Sequence, residues 1–139
     1  MQFWLLKTEP STWSWQDQID SGDAGEGWDG VRNYQASNNM KAMQIGDLAF
    51  FYHSANEKQI VGIVEICARH HPDPSDASGR FSMVTVRAVK PFNTPVTLGD
   101  IKADERPQEM ALVRQSRLLV TPVSAEHWAI IMQKGSTTV

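Results

Sequence analysis

LAFFYHSANEKQIVGIVEICAR, residues 48–69, is the stretch that decides the fold class of this chain. It contains two apolar runs, 48–53 and 59–69, on either side of a short polar segment. Runs of this kind, rich in β-branched and aromatic residues and joined by a short polar link, predict two neighbouring strands. A third run at 81–89 alternates apolar and polar residues, as a strand with one solvated face does. Consecutive strands are usually neighbours in space, so the three runs predict one sheet.

Two shorter apolar runs extend the predicted sheet toward both ends of the chain. FWLLK at 3–7 is predicted to be a buried strand that stops before Pro10, and SRLLV at 116–120 is predicted to be a later strand. Three prolines between 91 and 110 predict irregular chain there, with a turn of helix at 98–104.

Three helices are predicted from capping residues followed by apolar spacing. Ser14 with Asp17 resembles a capping-box start, and Trp15 and Ile19 would face inward. Ser37 is predicted to cap a second helix that buries Met40 and Met43 and ends at Gly46. Ser124 is predicted to cap a last helix over 125–134, which would bury Trp128, Ile131 and Met132.

These elements predict an α+β domain in which a small, strongly curved antiparallel sheet or open barrel is flanked by short helices. At 139 residues the chain fits one core, so we expect a single domain over 1–134 and a flexible C-terminal tail over 135–139.

Composition limits the partners and the compartment. The formal net charge is −3, with one base and six acids in residues 1–30 and twelve bases and ten acids after them. That balance argues against binding nucleic acid through phosphates alone. The chain has no membrane-length apolar run and no basic secretory start, and its single cysteine excludes a disulfide framework, so we expect a cytoplasmic protein.

Two clusters combine a flat ring with hydrogen-bonding groups. Arg32, Asn33 and Tyr34 lie in a predicted turn, and the run at 48–53 ends in Tyr52 and His53, followed by Ser54. Residues of these types could form a pocket for a flat polar heterocycle if the fold brings the clusters together.

Lys7, Thr8 and Glu9 admit two interpretations. A threonine nucleophile with a lysine base would make a hydrolytic trio. An extended strand, however, directs Lys7 and Glu9 to one face and Thr8 to the other. Strand geometry therefore favours Lys7 and Glu9 reaching a common cavity or pairing with each other.

Three further features have a structural and a functional interpretation. Trp28, alone among small and acidic residues, is either a lid on the core or a platform on which a base stacks. Arg114, Gln115 and Ser116 open a predicted strand, where an arginine suits base edges and phosphates or is simply solvated. His70 and His71 are interpreted as solvated residues, and no metal site is predicted.

Five segments in order and in register closely resemble the EVE domain family: FWLLKTEP at 3–10, WxGVRNYQA at 28–36, GDLAFFYHS at 46–54, IVGIVEI at 60–66 and VRQSRLLVxP at 113–122. The resemblance implies a PUA-like fold, a compact pseudo-barrel flanked by helices. Eukaryotic members are linked to 5-methylcytosine and its oxidised forms in DNA, and bacterial members are proposed to sense modified bases in restriction or RNA contexts.

The resemblance implies a non-enzymatic module that binds a modified nucleobase, such as a methylated or hydroxymethylated cytosine, in DNA or RNA. It implies no catalytic residue, metal or cofactor. Two alternatives stay open: a hydrolase that acts on a modified nucleoside, and a binder of a free modified nucleoside, a nucleotide or a small anion. The implied ligand-binding residues are Lys7, Glu9, Trp28, Val31, Arg32, Asn33, Tyr34, Tyr52, His53, Ser54, Arg114, Gln115 and Ser116.

The chain departs from the family pattern at two positions. Ser37 stands where members commonly have a basic residue, which predicts a weaker phosphate contact. Leu119 stands where they commonly have a serine.

Overall fold

The computed structural model describes residues 2–29, 32–115 and 117–138, which form six strands and five helices. In chain order these elements are β1 (Phe3–Thr8), α1 (Trp15–Asp20), β2 (Glu26–Gly27), α2 (Tyr34–Ala42), β3 (Leu48–His53), β4 (Gln59–Pro72), β5 (Ser82–Thr97), α3 (Leu98–Ala103), α4 (Ala111–Arg114), β6 (Val120–Val123) and α5 (Ala125–Lys134).

The six strands form one open sheet in the order β2-β5-β4-β3-β1-β6. The prediction that the three central runs form neighbouring strands of one sheet is confirmed, since β3, β4 and β5 pair antiparallel in sequence order. One strand pair departs from the predicted antiparallel sheet, because β1 runs parallel to β3, with Phe3 opposite Leu48 and Thr8 opposite His53. Parallel neighbours need a long crossover, and the connection that carries α1, β2 and α2 supplies it.

The sheet is buried on both faces at its centre, which explains why the run at 48–53 has no polar alternation. On one face, Phe51 joins a core cluster with Trp4 and Leu6. On the other, Phe50 stacks on Trp128 of α5 with ring centroids 3.9 Å apart. The two faces together bury every residue of β3.

Two of the three predicted helix starts are confirmed and one is wrong. Ser14 forms the capping box of α1, and Ser124 caps α5. The helix α2, however, begins at Tyr34, and its cap is Asn33 and not the predicted Ser37. Ser37 lies inside the helix with 1% of its surface exposed, where no side chain could serve as a cap.

The inward face of α1 also differs from the prediction. Ile19 is exposed, while Gln18 is fully buried. A glutamine is tolerated there because its amide is hydrogen-bonded at both ends, to Trp13 Nε1 and to the carbonyl of Val86.

The strand β5 continues through the region where prolines predicted irregular chain. Pro91 lies opposite Gly62, and the register between β4 and β5 shifts on both sides of this pair. Proline is accommodated in strands at such irregularities because a ladder hydrogen bond is already missing there. The predicted helical turn after it is confirmed as α3.

The predicted strand over 116–120 is wrong in its bounds. A short helix, α4, precedes this segment, and pairing with β1 begins only at Val120 and runs to Val123. The segment between α1 and α2 contains the two-residue strand β2, which pairs with Val86 and Thr85 of β5.

The last described residues, 135–138, contact β5. The backbone N–H of Thr94 donates to the carbonyl of Gly135 (3.1 Å), and that of Asn93 donates to Thr137 Oγ1 (3.0 Å). Thr137 is 4% exposed. The flexibility predicted for residues 135–139 stays a prediction. Among the described residues, no helix is long and apolar enough to cross a membrane.

Candidate nucleobase-binding cavity

A cavity of about 570 Å³ opens where β1 and β3 end. This volume lies within the range of small-molecule sites, which is about 300–1,000 Å³. The cavity is lined by residues from the end of β1, the turn after it, β2 and its continuation, the residue that follows β3, and the segment before β6: Lys7, Thr8, Glu9, Thr12, Trp13, Glu26, Gly27, Trp28, Asp29, Ser54 and Leu119.

Backbone hydrogen bonds fix the walls of this cavity. The N–H of Ser54 donates to the carbonyl of Thr8, and the N–H of Lys7 donates to that of Leu119, each at 2.9 Å. After β1, the N–H groups of Thr12 and Trp13 both donate to the carbonyl of Glu9. The cavity is therefore built mainly on the end of the sheet, where side-chain positions are well determined.

Trp13 is a cavity residue that the sequence interpretation missed. Its Nε1 donates to Gln18 Oε1 (2.9 Å), and Gln18 Nε2 in turn donates to the carbonyl of Val86 (3.0 Å). The buried amide thus holds the indole in place from behind. The sequence feature that singled out Trp28, a tryptophan between polar or small residues, also applies to Trp13, which stands between Thr12 and Ser14.

Trp28 combines both interpretations offered for it. Its ring packs edge-on against Phe51, with centroids 5.6 Å apart and planes at 87°, and it belongs to the core cluster. It also lines the cavity, and its backbone N–H donates to the carbonyl of Val84 (2.7 Å). The core therefore holds this ring in the cavity wall.

The charges of the cavity are one buried ammonium and three carboxylates. Lys7 is 5% exposed, and burial lowers its pKa to about 8. Glu9, Glu26 and Asp29 are exposed at the rim. This balance disfavours an anion inside the cavity and favours a neutral ligand whose donors meet the carboxylates.

Thr8 does not turn away from the cavity as strand alternation predicted. Lys7, Thr8 and Glu9 all line it, because β1 ends at Thr8 and the chain then turns. The hydroxyl of Thr8 lies 3.1 Å from the carbonyl oxygen of Trp13 and donates to it. Its proton is therefore committed to the turn.

Of the strand end Tyr52-His53-Ser54, the structure places only Ser54 in the cavity wall. Tyr52 is buried in the core cluster that contains Phe50. This burial raises its pKa to about 12. The centroid of its ring lies 5.9 Å from Lys7 Nζ. His53 fastens α1 to the sheet: its Nε2 accepts from the backbone N–H of Trp15 (3.0 Å), so the proton on Nδ1 faces Glu57 (2.9 Å). This hydrogen bond lowers the pKa of the Glu57 carboxyl.

The segment with Arg32, Asn33 and Tyr34 lies outside the cavity. Arg32 pairs with Asp73 at 3.1 Å, and Asn33 Oδ1 accepts the capping hydrogen bond from Ala36. Tyr34 is 59% exposed, with its ring 5.0 Å from that of Phe81.

The late segment is also outside it, apart from Leu119. Arg114 pairs with Glu109 at 2.6 Å, and Gln115 accepts a hydrogen bond from Gln35. Val31 and Ser116 lie outside the described residues. Of the predicted ligand-binding set, the structure therefore gathers Lys7, Glu9, Trp28 and Ser54 in one cavity, and their binding role stays a prediction.

The two departures from the family pattern fall in different environments. Ser37 is buried in α2, so this position does not present its side chain to a phosphate in solvent. Leu119 is 44% exposed and lines the cavity, where it adds an apolar surface.

The mixed open sheet with short helices over it defines a PUA-like α+β domain, as the resemblance implied. The EVE domain model matches residues 2–134, and the chain therefore belongs to the EVE domain family.

Relatives and solved structures agree with this assignment. Thymocyte nuclear protein 1 of Gallus gallus is 34% identical over 93% of this chain, which spans 66% of that relative's length. An NMR structure of a Rhodopseudomonas palustris protein is 51% identical with a TM-score of 0.93, covering 98% of this chain and 94% of that one. The crystal structure of human THYN1 protein in complex with DNA that contains 5-methylcytosine is 27% identical with a TM-score of 0.89, and both chains are covered in full.

Proposed function

We propose that this chain is a non-enzymatic module that binds a modified nucleobase of DNA or RNA in the cavity at the end of β1. The observation that carries the proposal is the cavity wall itself, in which two indole rings, Trp13 and Trp28, accompany one ammonium and three carboxylates. A methylated cytosine in DNA is the first candidate ligand, because a relative of the same fold is known in complex with such DNA.

The cavity offers both kinds of contact that a base needs. Aromatic rings stack on base faces, and each such stack contributes about 1–3 kcal/mol. Carboxylates accept hydrogen bonds from the exocyclic amino group of cytosine, and ammonium or hydroxyl groups donate to ring carbonyls. Glu9, Glu26 and Asp29 supply the acceptors, and Lys7 and Ser54 supply the donors.

Recognition of the methyl group falls to the apolar part of the wall. Burying one methyl carbon contributes about 0.8 kcal/mol, which is about a fourfold preference. Leu119 offers an apolar contact at the place where the family commonly has a hydroxyl. A larger preference for the modified base requires further contributions from the shape of the wall and from its hydrogen bonds.

The hydrolase alternative gains no support from the geometry. The hydroxyl of Thr8 donates to the Trp13 carbonyl, so it is not poised to give its proton to Lys7. A nucleophile is activated by a base that takes its proton, and this arrangement directs the proton elsewhere.

The proposal is tested by titrating matched oligonucleotides that carry cytosine, 5-methylcytosine, 5-hydroxymethylcytosine or N6-methyladenine, as single strands and duplexes, in DNA and RNA. Calorimetry gives the affinity, and quenching of tryptophan fluorescence reports entry beside the indoles. We expect at least one modified strand to bind about fourfold or more tightly than its unmodified partner. Equal affinity for all modified and unmodified strands would refute the proposal.

The buried lysine predicts how binding depends on pH. Because the pKa of Lys7 is lowered to about 8, its side chain is a charged ammonium at pH 6 and largely a neutral amine by pH 9. We expect affinity for a base whose carbonyl accepts from Lys7 to fall by about tenfold between these values, as a charge-assisted hydrogen bond weakens.

The stability of the free protein should change with pH in the opposite direction. The folded state disfavours the charged lysine, so the free energy of unfolding should rise between about pH 8 and 10.5.

Lys7→Met is the control for this pH dependence, because it keeps the length of the side chain and removes the titrating group. The variant should bind more weakly and show a flat profile through pH 8. A profile identical to that of the unaltered protein would assign the pH dependence to another group.

A further inference from the structure

A second concavity is connected to the cavity along the chain, through residues 117–119. Asn33, Gln35, Gln115, Arg117 and Leu118 line this recess, which has a volume of about 350 Å³. The segment 117–119 joins the two sites, since Leu119 lines the cavity while Arg117 and Leu118 line the recess. A ligand that extends out of the cavity along this segment would reach the recess next.

The recess differs from the cavity in charge. Its only ionisable lining residue among those described is Arg117, which is exposed. Arg32, Arg87, Arg106 and Arg114 each pair with a carboxylate, whereas the guanidinium of Arg117, like those of Arg69 and Arg80, has no ion pair or hydrogen bond with another described residue. An unpaired guanidinium is suited to a phosphate, and the carboxylates at the cavity rim are not.

The carboxamides of the recess keep hydrogen-bonding groups for a ligand. Gln35 Nε2 donates to Gln115 Oε1 at 3.2 Å, which leaves the other polar atom of each amide, one acceptor and one donor. Asn33 uses its Oδ1 to cap α2 and retains its Nδ2 donor. Such paired donors and acceptors match the edge of a nucleobase.

Tyr34 is an exposed aromatic residue that stands between two lining residues of the recess in the chain. It lies between Asn33 and Gln35 at the start of α2, and its ring is 59% exposed. Phe81 supports the ring from behind at 5.0 Å, and Arg32 lies 5.5 Å from the centroid of Phe81. A supported and exposed aromatic ring is a platform on which an unpaired base can stack.

We propose that the recess and Tyr34 form a second nucleotide subsite, which binds the nucleotide adjoining the modified one in an unpaired strand. Arg117 contacts the phosphodiester between the two nucleotides, and Tyr34 stacks on the second base. This inference rests on the proposed function, because it requires the first base to occupy the cavity. It makes the ligand a strand of at least two nucleotides.

The test compares Arg117→Ala and Tyr34→Ala with Lys102→Ala, which removes one positive charge from α3. The ligands are a trinucleotide with a central 5-methylcytosine and the free nucleoside 5-methyl-2′-deoxycytidine, or their counterparts with the modified base that titration selects. At about 50 mM salt, Arg117→Ala should lower trinucleotide affinity by about fivefold and reduce the slope of log affinity against log salt by about 0.7. Tyr34→Ala should lower the affinity by about fivefold or more with the slope unchanged.

The two variants should leave nucleoside affinity unaltered, and Lys102→Ala should leave both affinities unaltered. Trinucleotide binding that is insensitive to both Arg117→Ala and Tyr34→Ala would overturn the second subsite while the cavity proposal stands. Absence of binding of any modified ligand to the unaltered protein would overturn the proposed function and the subsite with it.

Discussion

Trp28→Ala is expected to lower the free energy of unfolding by about 3–5 kcal/mol, the usual cost of truncating a buried aromatic ring to alanine. The ring is 8% exposed and packs edge-on against Phe51 at 5.6 Å, so its removal leaves a void in the core cluster. The same change removes one aromatic wall of the cavity. Affinity for the modified strand should therefore fall by about tenfold or more, even under conditions in which the variant is folded. Urea denaturation and calorimetric titration measure the two effects.

Trp28→Phe separates the structural role of this ring from its binding role. Phenylalanine keeps an aromatic face and most of the buried volume, so the loss of stability should be smaller than that in Trp28→Ala. Binding should be retained within about tenfold, because a smaller ring still stacks. A folded Trp28→Phe protein that binds as weakly as Trp28→Ala would show that stacking is not the contribution of this residue. Unchanged affinity in Trp28→Ala would place the ligand elsewhere.

Gly25→Ala is expected to lower the free energy of unfolding by about 2–5 kcal/mol. Gly25 has φ +72°, a left-handed conformation that costs a residue with a Cβ about 1–2 kcal/mol. A Cβ at this position would also lie 2.3 Å from the carbonyl oxygen of Val86, which must move at an overpacking cost of about 1–3 kcal/mol. Because Val86 pairs with Glu26 of β2, the change should also displace Trp28 and weaken ligand binding.

Gly22→Ala is the matched control, because Gly22 has a similar φ of +66° and no atom within 4 Å of an added Cβ. It should cost only the conformational part, about 1–2 kcal/mol, and leave binding unaltered. Equal losses of stability in the two variants, measured by urea denaturation, would show that the close approach to Val86 carries no energetic weight.

The sequence by itself determined the elements whose signals are local. The strand over 48–53 was predicted with its observed bounds, since the run is short, rich in aromatic residues and preceded by a glycine at 46. The capping box at Ser14 and the cap at Ser124 were predicted because a cap joins residues only three apart. Five segments in register also carried the family assignment.

The tertiary structure decided what depends on contacts between distant segments. Pairing with β4 holds residues 91–97 in a strand despite two prolines. Such long-range packing overrides local propensity.

The composition of the cavity was likewise decided by the tertiary structure. Trp13 enters its wall because Gln18, buried against the carbonyl of Val86, holds the indole there. Tyr52 is buried in the core cluster that contains Phe50, and Asn33 is committed to capping its helix. The sequence therefore determined the fold class, the family and four residues of the cavity: Lys7, Glu9, Trp28 and Ser54. Which aromatic ring joins Trp28 depended on how separate segments meet at the end of the sheet, and no local pattern encodes that meeting.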